Sequence, residues 1–428
     1  MARAQSVRRL VGGNVAARSV ALVSLGLATV LVARVGGPTT VGEYALLRVI
    51  PGLVGVVASA GLPTACAYFL AGRTPSRSAV PWALFGIAVV AGSAATVAWL
   101  LAVPLLRPLF FRTMSPSLVA LAGATVLSQL LVATAKSCAQ GLGDMRQANR
   151  LIILEELTFL PPFVVLAVLP FGHLTSVIWA LLLSDLGTAT YGWIELARRG
   201  FFAAATRPTR HVALEVLSYG ARGQVGGVMT LLNLRLDFIL LGSLAGPGVV
   251  GSYAVASKFA ELLRVPSLAI NYVLYPRFAR EGARVAADNV RRMAPRALFL
   301  VATIAVFVAA CVNPLIPWMY GAAFRPAIGP AYILVGGLVT DGVAAVISAW
   351  LLGTGRPGLN SIAVGAGVAM TVALDVALIP SYHAIGAAIA SAAAYLTVTA
   401  CLLSAFHLTQ QASSGIRIRH PQATGAKI

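Results

Sequence analysis

The stretch "AGPGVVGSYA" at residues 245–254 repeats, almost letter for letter, the stretch "GGPTTVGEYA" at residues 36–45. Glycine, proline, valine, glycine, tyrosine and alanine recur in the same order, 209 positions later in a chain of 428 residues. In both copies Gly-Pro is expected to end one helix, and Val-Gly-x-Tyr-Ala to open the next. A turn repeated at the start of each half predicts that the chain arose by internal duplication.

The residues around both copies are strongly apolar. Hydrophobic residues make up 58% of the chain and charged residues 11%, whereas about a quarter of the residues of a soluble domain are charged. A run of about 20 apolar residues crosses a bilayer as a helix, because lipid leaves no other partner for the backbone. We therefore predict an all-α, polytopic membrane protein with about twelve transmembrane helices. The predicted spans are 12–35, 43–71, 79–103, 116–140, 151–169, 174–197, 216–244, 248–275, 294–314, 328–354, 359–379 and 384–407.

The formal net charge of +19 follows the predicted topology. When Arg34 and Arg296, at the ends of spans 1 and 9, are counted with the adjacent loops, 21 of the 32 Lys and Arg residues fall in the amino terminus, the even-numbered loops and the carboxyl tail, four fall in the odd-numbered loops, and seven lie inside spans. Positive charge concentrates in cytoplasmic loops. The distribution therefore predicts a multi-pass membrane protein with both termini in the cytoplasm, and the richness in alanine and arginine indicates the inner membrane of a bacterium. The distribution also explains the charge without a nucleic-acid partner.

The number of spans between the two copies sets the symmetry of the fold. Six is an even number, so both halves enter the membrane in the same direction, as a parallel repeat whose pseudo-two-fold axis lies along the membrane normal. We predict an N-terminal six-helix lobe over 1–200, a cytoplasmic connector over 201–215, a C-terminal six-helix lobe over 216–410 and a cytoplasmic tail over 411–428. Rocking of two such lobes would open a central cavity to each side in turn.

Cationic side chains lie on the four spans that flank the repeated turns. Each is costly inside a bilayer unless it is wet or paired, and a guanidinium binds a phosphate through two hydrogen bonds. Alternatively, the arginines near span ends reach the headgroups, and Lys258, Glu261 and Arg264 neutralise one another. Along span 2, Arg48 shares a helical face with Gly52, Gly55 and Ser59. The predicted substrate-binding residues of a cationic cavity are Arg18, Arg48, Arg222, Arg264, Asn233 and Lys258.

Four aspartates also lie inside predicted spans. Intramembrane acids often carry protons or bind sodium in transporters. Asp341 and Asp375 are the better candidates for ion coupling, because they fall in neighbouring spans of the second lobe, away from most arginines. Asp237 is a third candidate, and pairing with an arginine is its structural alternative, as it is for Asp185. We predict no metal site and no cofactor other than a coupling ion, H+ or Na+.

Three longer stretches resemble a known family. They are "LNLRLDFILLGSLAGPGVVGSYAVASKFAELL" (231–263), "IPWMYGAAFRPAIGPAYIL" (316–334) and "LIPSYHAIGAAIASAAAYL" (378–396). Each is similar to a segment of the oligosaccharide and O-antigen flippases of the multidrug/oligosaccharidyl-lipid/polysaccharide exporter superfamily. Asp375 departs from this resemblance, since an uncharged polar residue is expected there.

The resemblance implies a transporter with alternating access. Its cargo would be a polyprenyl-diphosphate-linked oligosaccharide, moved from the cytoplasmic to the outer leaflet for the biosynthesis of a cell-surface polysaccharide. Membrane lipids, a polysaccharide polymerase and glycosyltransferases are the implied partners. Two alternatives stay open. One is a cation-coupled multidrug exporter of the same superfamily, which should have an acid-lined cavity. The other is a membrane-embedded glycosyltransferase or polymerase, which the short external loops and the absence of paired external acids disfavour.

Overall fold

The structure is a computed structural model that describes residues 2–71, 78–170, 172–203, 205–281 and 283–415. These residues are almost entirely helical and form no strand, which confirms the predicted all-α fold. Short 3-10 turns at Ala322–Ala327 and Leu338–Thr340 lie before and after α12. The helices in chain order are α1 (Ala2–Ala58), α2 (Leu62–Ala71), α3 (Val80–Phe110), α4 (Pro116–Ala122), α5 (Ala124–Gly141), α6 (Met145–Leu157), α7 (Leu160–Ala167), α8 (His173–Arg198), α9 (Arg210–Leu244), α10 (Pro247–Phe278), α11 (Ala283–Tyr320), α12 (Ile328–Gly337), α13 (Asp341–Gly353) and α14 (Pro357–Gly415).

Two of these helices are each made of two predicted spans joined at a kink. Gly37 has a φ of 69° and separates spans 1 and 2 within α1. His383 has a φ of 50° and separates spans 11 and 12 within α14, three residues after Pro380. A proline inside a helix removes one hydrogen-bond donor and bends the axis. The loops predicted at these two places are therefore sharp bends, and the two helices on either side of each bend follow each other almost without a break.

The described part of the chain has seven helices, counting adjoining ones together, that are long and apolar enough to cross a membrane. Two of them, α1 and α14, cover two predicted spans each. Predicted span 5 is not among the seven because it is divided between α6 and α7. Helices α9 and α10 are not among them either, and they carry several charged side chains, which lower their mean hydropathy. Each of the twelve predicted spans nevertheless falls within one helix or within consecutive helices. The chain is a multi-pass membrane protein.

The described residues form two compact units. The first comprises Met1–Val255 with Leu315–Ala327, and the second comprises Ala256–Pro314 with Ile328–Ile428. The core of the first unit includes the buried rings of Phe69 and Trp193. The core of the second includes Trp350, whose ring meets that of Phe406 edge-on at a centroid distance of 4.9 Å.

The first unit contains α9 and the second copy of the repeated turn, which were predicted to belong to the second lobe. The two units contain the helices that contact one another in this single conformation. Lobes that move as rigid bodies between conformations can have different boundaries. The lobes at 1–200 and 216–410, the connector at 201–215 and the tail at 411–428 stay predictions.

Candidate functional site

The two copies of the repeated turn adopt the same backbone conformation. Gly37 and Gly246 have φ values of 69° and 86°, in the left-handed region that glycine enters without steric strain. A proline follows each of them: Pro38 lies in the kink of α1, and Pro247 is the first residue of α10. The Gly-Pro pair thus breaks the helix in both copies, as predicted.

The two turns also contact each other reciprocally. A methyl carbon added to Gly42 would lie 1.7 Å from the carbonyl oxygen of Pro247, and one added to Gly251 would lie 1.9 Å from the carbonyl oxygen of Pro38. Gly42 and Gly251 occupy the same position of the repeat, as do the two prolines. The turns are therefore related by a local two-fold axis, and backbone meets backbone across it. We call residues 36–45 and 245–254 together the external turn pair, after the side of the membrane on which the sequence predicts them.

A second backbone contact joins the other end of span 2 to α9. The chain breaks at Ala60 and Gly61, which have positive φ values of 45° and 74°. A methyl carbon on Gly61 would lie 1.9 Å from the carbonyl oxygen of Gly220 in α9. One turn further along α9, the Gln224 side chain donates a hydrogen bond to the carbonyl oxygen of Val56. Small residues therefore let α10 approach one end of span 2 and α9 approach the chain near Gly61.

Between these two contacts a cavity of about 210 Å³ opens inside the first unit. Helices α1, α5, α6 and α8 contribute its polar lining. Arg48 stands beside the small residues Gly52, Gly55 and Ser59, which confirms the predicted helical face of span 2. The other polar groups in the lining are Gln129, Glu155 and Asp185. We call this space the N-terminal cavity.

Arg48 is ion-paired within this site. Its Nη2 lies 2.6 Å from Oε1 of Glu156, and the side chains of the two residues are 26% and 15% exposed. Its Nη1 donates to the Tyr44 hydroxyl at 3.4 Å, and the guanidinium carbon lies 5.8 Å from the centroid of that ring. Arg48 could hold a phosphate only by exchanging the Glu156 carboxylate for it.

The acids outnumber the bases around the N-terminal cavity. Lys136 binds Glu155, and Arg48 binds Glu156, so each base has a carboxylate. Asp185 is the third acid, only 6% exposed, and its Oδ2 has no hydrogen-bond partner among the described residues. The two glutamates were not among the predicted site residues, and the only signal for them is an acidic pair inside span 5. The cavity can bind cationic or hydroxyl-rich groups better than anionic ones.

The other predicted cations of the first unit are exposed. Arg18 donates from Nε to Oδ1 of Asn14 at 3.0 Å, and Asn14 in turn donates to Asn149 of α6 at 2.9 Å. Neither Arg18 nor Arg222 forms an ion pair within the described ranges of the chain, and both side chains are exposed. The side chain of Asn233 lies outside the described residues. Two of the predicted arginines thus carry charge that no carboxylate neutralises there.

The second unit contains the remaining predicted cations. The Arg264 guanidinium lies 5.0 Å from the ring centroid of Tyr395. It also acts electrostatically on Asp341, whose carboxylate interacts with the Ser267 hydroxyl. Asp341 was expected to lie away from most arginines, and Arg264 is the arginine that acts on it, because one turn of α10 brings Arg264 and Ser267 to the same side.

Lys258 forms an ion pair with Glu261, with 2.9 Å between Nζ and Oε2. This confirms the pairing alternative for Lys258. The other two aspartates are buried, Asp375 completely and Asp237 to 9% exposure. Asp237 accepts hydrogen bonds from the Tyr253 hydroxyl and from the backbone N–H of Phe238. This agrees with a structural role for Asp237, which ties α9 to the second copy of the turn.

The sequence of residues 10–281 matches the family model described as "Polysaccharide biosynthesis protein". The chain belongs to this family. Among solved structures it is similar to "Lipid II flippase MurJ, inward closed conformation" at 14% identity, with a TM-score of 0.68, covering 92% of this chain and 87% of that one. No protein of curated function matches the chain significantly in sequence.

Two further solved structures have a similar fold. "Inward-facing conformation of a multidrug resistance MATE family transporter of the MOP superfamily" has 16% identity and a TM-score of 0.72, covering 95% of this chain and all of that one. "Outward-facing conformation of a multidrug resistance MATE family transporter of the MOP superfamily" has 16% identity and a TM-score of 0.59, covering 96% of this chain and 97% of that one. These similarities show the fold, which is the twelve-helix, two-lobed fold that the sequence predicts. The fold is that of solved flippase and transporter structures, as predicted.

Proposed function

We propose that this protein moves a polyprenyl-diphosphate-linked oligosaccharide from the cytoplasmic to the outer leaflet of the bacterial inner membrane. The observation that carries the proposal is the family match over residues 10–281, which includes both repeated turns and most of the charged spans. The fold of a lipid-linked precursor flippase and of transporters in two conformations supports alternating access as its mechanism. Both termini face the cytoplasm in this proposal, and the external turn pair faces outward.

The diphosphate of the cargo needs cations that are not already neutralised. Arg18 and Arg222 meet this requirement, since both are exposed and lack a carboxylate partner in the described structure. Arg48 and Arg264 are engaged with Glu156 and with the ring of Tyr395. In our proposal Arg18 and Arg222 bind the diphosphate first. Arg48, Arg264 and Lys258 take part only if cargo displaces their present partners, and Asn233 stays a further proposed contact.

Coupling to an ion gradient is a separate part of the proposal. Asp341 and Asp375 stay our candidates for binding H+ or Na+, because both are acids deep inside predicted spans. Asp237 is a weaker candidate, since the Tyr253 hydroxyl and a backbone N–H already occupy its carboxylate. Polysaccharide polymerase and glycosyltransferases are the proposed partners that use and supply the cargo.

The test of this function is to delete the gene and to identify the lipid fraction that accumulates. Loss of a flippase should leave a polyprenyl-diphosphate-linked oligosaccharide in the cytoplasmic leaflet, and a plasmid copy should remove it. A plasmid copy with Arg18→Ala and Arg222→Ala together should not. Accumulation of no lipid-linked sugar would contradict the proposal.

A multidrug exporter is the second candidate, and one observation favours it. The N-terminal cavity is lined by two acids, Glu155 and Asp185, and by one base, Arg48, which suits an organic cation better than a diphosphate. In that case the deletion strain should become sensitive to cationic dyes while its lipid-linked sugars stay normal. Replacement of Asp185 by Asn should then abolish dye efflux.

A further inference from the structure

The acid that follows Gly42 in the first copy of the turn is completely buried. Glu43 has 0% relative exposure, and neither of its carboxylate oxygens has a hydrogen-bond partner in the part of the chain that the structure describes. The second copy carries Ser252 at the same position, so the turn itself does not require an acid. An ionised carboxylate buried without a partner is costly by several kcal/mol, and the neutral acid much less so.

No nearby charge compensates this burial. Arg48 binds Glu156, Tyr253 binds Asp237, and Arg34 donates to the carbonyl oxygens of Trp318 and Met319. None of the described groups acts electrostatically on the Glu43 carboxyl. Other titratable groups lie in the predicted external halves of spans 1 and 2 and of the elements packed against them. They are Arg34, Tyr44, Arg48, Arg107 of α3, Glu156 of α6, His173 of α8, Asp185 of α8, Asp237 of α9, Tyr253 of α10 and Arg325 of the first 3-10 turn.

The burial of Glu43 coincides with the contact between the two turns. Its neighbour Gly42 touches Pro247 and Gly251 through backbone atoms alone. Release of cargo to the outside requires these turns to separate, which would let water reach Glu43. A glutamic acid in water is ionised at neutral pH. Closing the turns must therefore either bury a bare carboxylate or take up a proton, and the second is far cheaper.

We propose that Glu43 is a proton-binding site, which takes up one proton from the outside when the external turn pair closes and releases it when the pair opens. The inference rests on the alternating access of the proposed function, but not on the identity of the cargo. Acidic medium then favours the closed turns, and alkaline medium favours the open ones. No other reactant is needed, because a single proton moves between bulk water and the Glu43 carboxylate.

A proton fits this site better than a metal ion does. Metal ions such as Ca²⁺ take six to eight oxygen ligands, and even Mg²⁺ takes six. Within the described residues no group of three His, Cys, Asp or Glu side chains could hold a metal ion. Glu43 would have to supply the coordination almost alone.

The test follows the closure of the turns directly. Thr39 and Gly248 belong to the two copies, and a methyl carbon on Gly248 would lie 3.5 Å from Oγ1 of Thr39. Cysteines at these two positions are thus within reach of a disulfide when the turns are closed. The protein is reconstituted in liposomes with its own four cysteines replaced by serine, and the rate of oxidative cross-linking is measured between pH 6 and 9. The same measurement on Glu43→Gln cancels the pH dependence of the thiol chemistry.

Linkage sets the expected result. If closing binds one proton, the ratio of closed to open protein falls by up to about tenfold for each pH unit in the range in which the open form is ionised while the closed form still keeps its proton. The cross-linking rate of the protein with Glu43, divided by that of Glu43→Gln, should fall accordingly as pH rises. Glu43→Met, which is neutral and of similar length, should behave as Glu43→Gln does and serves if the amide variant is unstable.

Parallel pH profiles of the three proteins would overturn the proposal, and so would a ratio that responds to sodium at constant pH. Because no cargo is present, this outcome is independent of the flipping assay. A protein that flips no lipid-linked sugar can still pass this test, and an active flippase can still fail it.

Discussion

Replacing Gly42 by alanine should open the external turn pair. The new methyl carbon would lie 1.7 Å from the carbonyl oxygen of Pro247, whereas ordinary contacts begin at 3.4 Å. The atoms that clash include the backbone of Pro247 and of Gly251, so no side-chain rotation relieves the overlap. The two turns must therefore separate by more than an ångström, or the helices behind them must shift.

The size of the effect follows from the cost of overpacking. Inserting one methyl group into a well-packed contact costs about 1–3 kcal/mol, which corresponds to a roughly 5- to 150-fold change in an equilibrium between two states. Gly42→Ala should lower the ratio of closed to open turns by that factor. Gly251→Ala should do the same, because its methyl carbon would lie 1.9 Å from the carbonyl oxygen of Pro38. The double variant should add little, since the turns are already apart.

The cross-linking rate between cysteines at Thr39 and Gly248 measures this ratio. Gly26→Ala is the matched control, because Gly26 lies in the same helix and an added methyl group there meets nothing within 4 Å. That variant should cross-link and transport normally, with the slight gain in helix stability that alanine gives. If Gly42→Ala cross-links as fast as Gly26→Ala does, the turns do not form a closed contact in the working protein.

Three further predictions concern topology, cargo and coupling. Single cysteines at Thr39 and Gly248 should both react with a membrane-impermeant reagent from outside, and reaction of only one would contradict the parallel repeat. Arg18→Ala and Arg222→Ala should each slow flipping by roughly tenfold or more, because a hydrogen bond to a charged group contributes about 1.5–3 kcal/mol. Lysine at the same positions should restore flipping only partly if the guanidinium binds phosphate, but fully if it merely reaches the headgroups. Asp341→Asn should abolish uphill transport but preserve cargo binding if Asp341 carries the coupling ion, and normal uphill transport would exclude it.

The repeat and the helical faces could be predicted from the sequence because both depend on local periodicity. A glycine with a positive φ before a proline is a property of a few neighbouring residues, so Gly37 and Gly246 were recognisable as equivalent turns. A spacing of three or four residues puts side chains on one helical face. Arg48 and Ser59 therefore line the same cavity, as predicted.

The partners across helices could not be predicted in the same way. A helical face shows which side of a span is polar, but not which other span lies opposite. Arg48 is separated from Glu156 by 108 positions, and a single sequence contains no signal that pairs them. The same holds for Cys66 and Cys138, which are 72 positions apart and whose sulfur atoms lie 3.6 Å from each other as free thiols.

The burial of Glu43 was also hidden from the sequence. Glu43 is the first residue of the predicted span 43–71, a position that by itself favours an acid in contact with water. The contact of the two turns instead removes it from water completely. Long-range backbone contact between two glycines, 209 positions apart, decides the environment of the residue beside them.

The most direct measurement of the central claim is the leaflet distribution of the lipid-linked oligosaccharide. Spheroplasts lacking the polysaccharide polymerase are treated with periodate, which oxidises only sugars at the outer face, and the protected fraction is measured by mass spectrometry. We predict that the oligosaccharide is largely oxidised when this protein is present, and largely protected when it is absent or carries both Arg18→Ala and Arg222→Ala. Equal oxidation with and without the protein would contradict the claim that it is a flippase for this lipid.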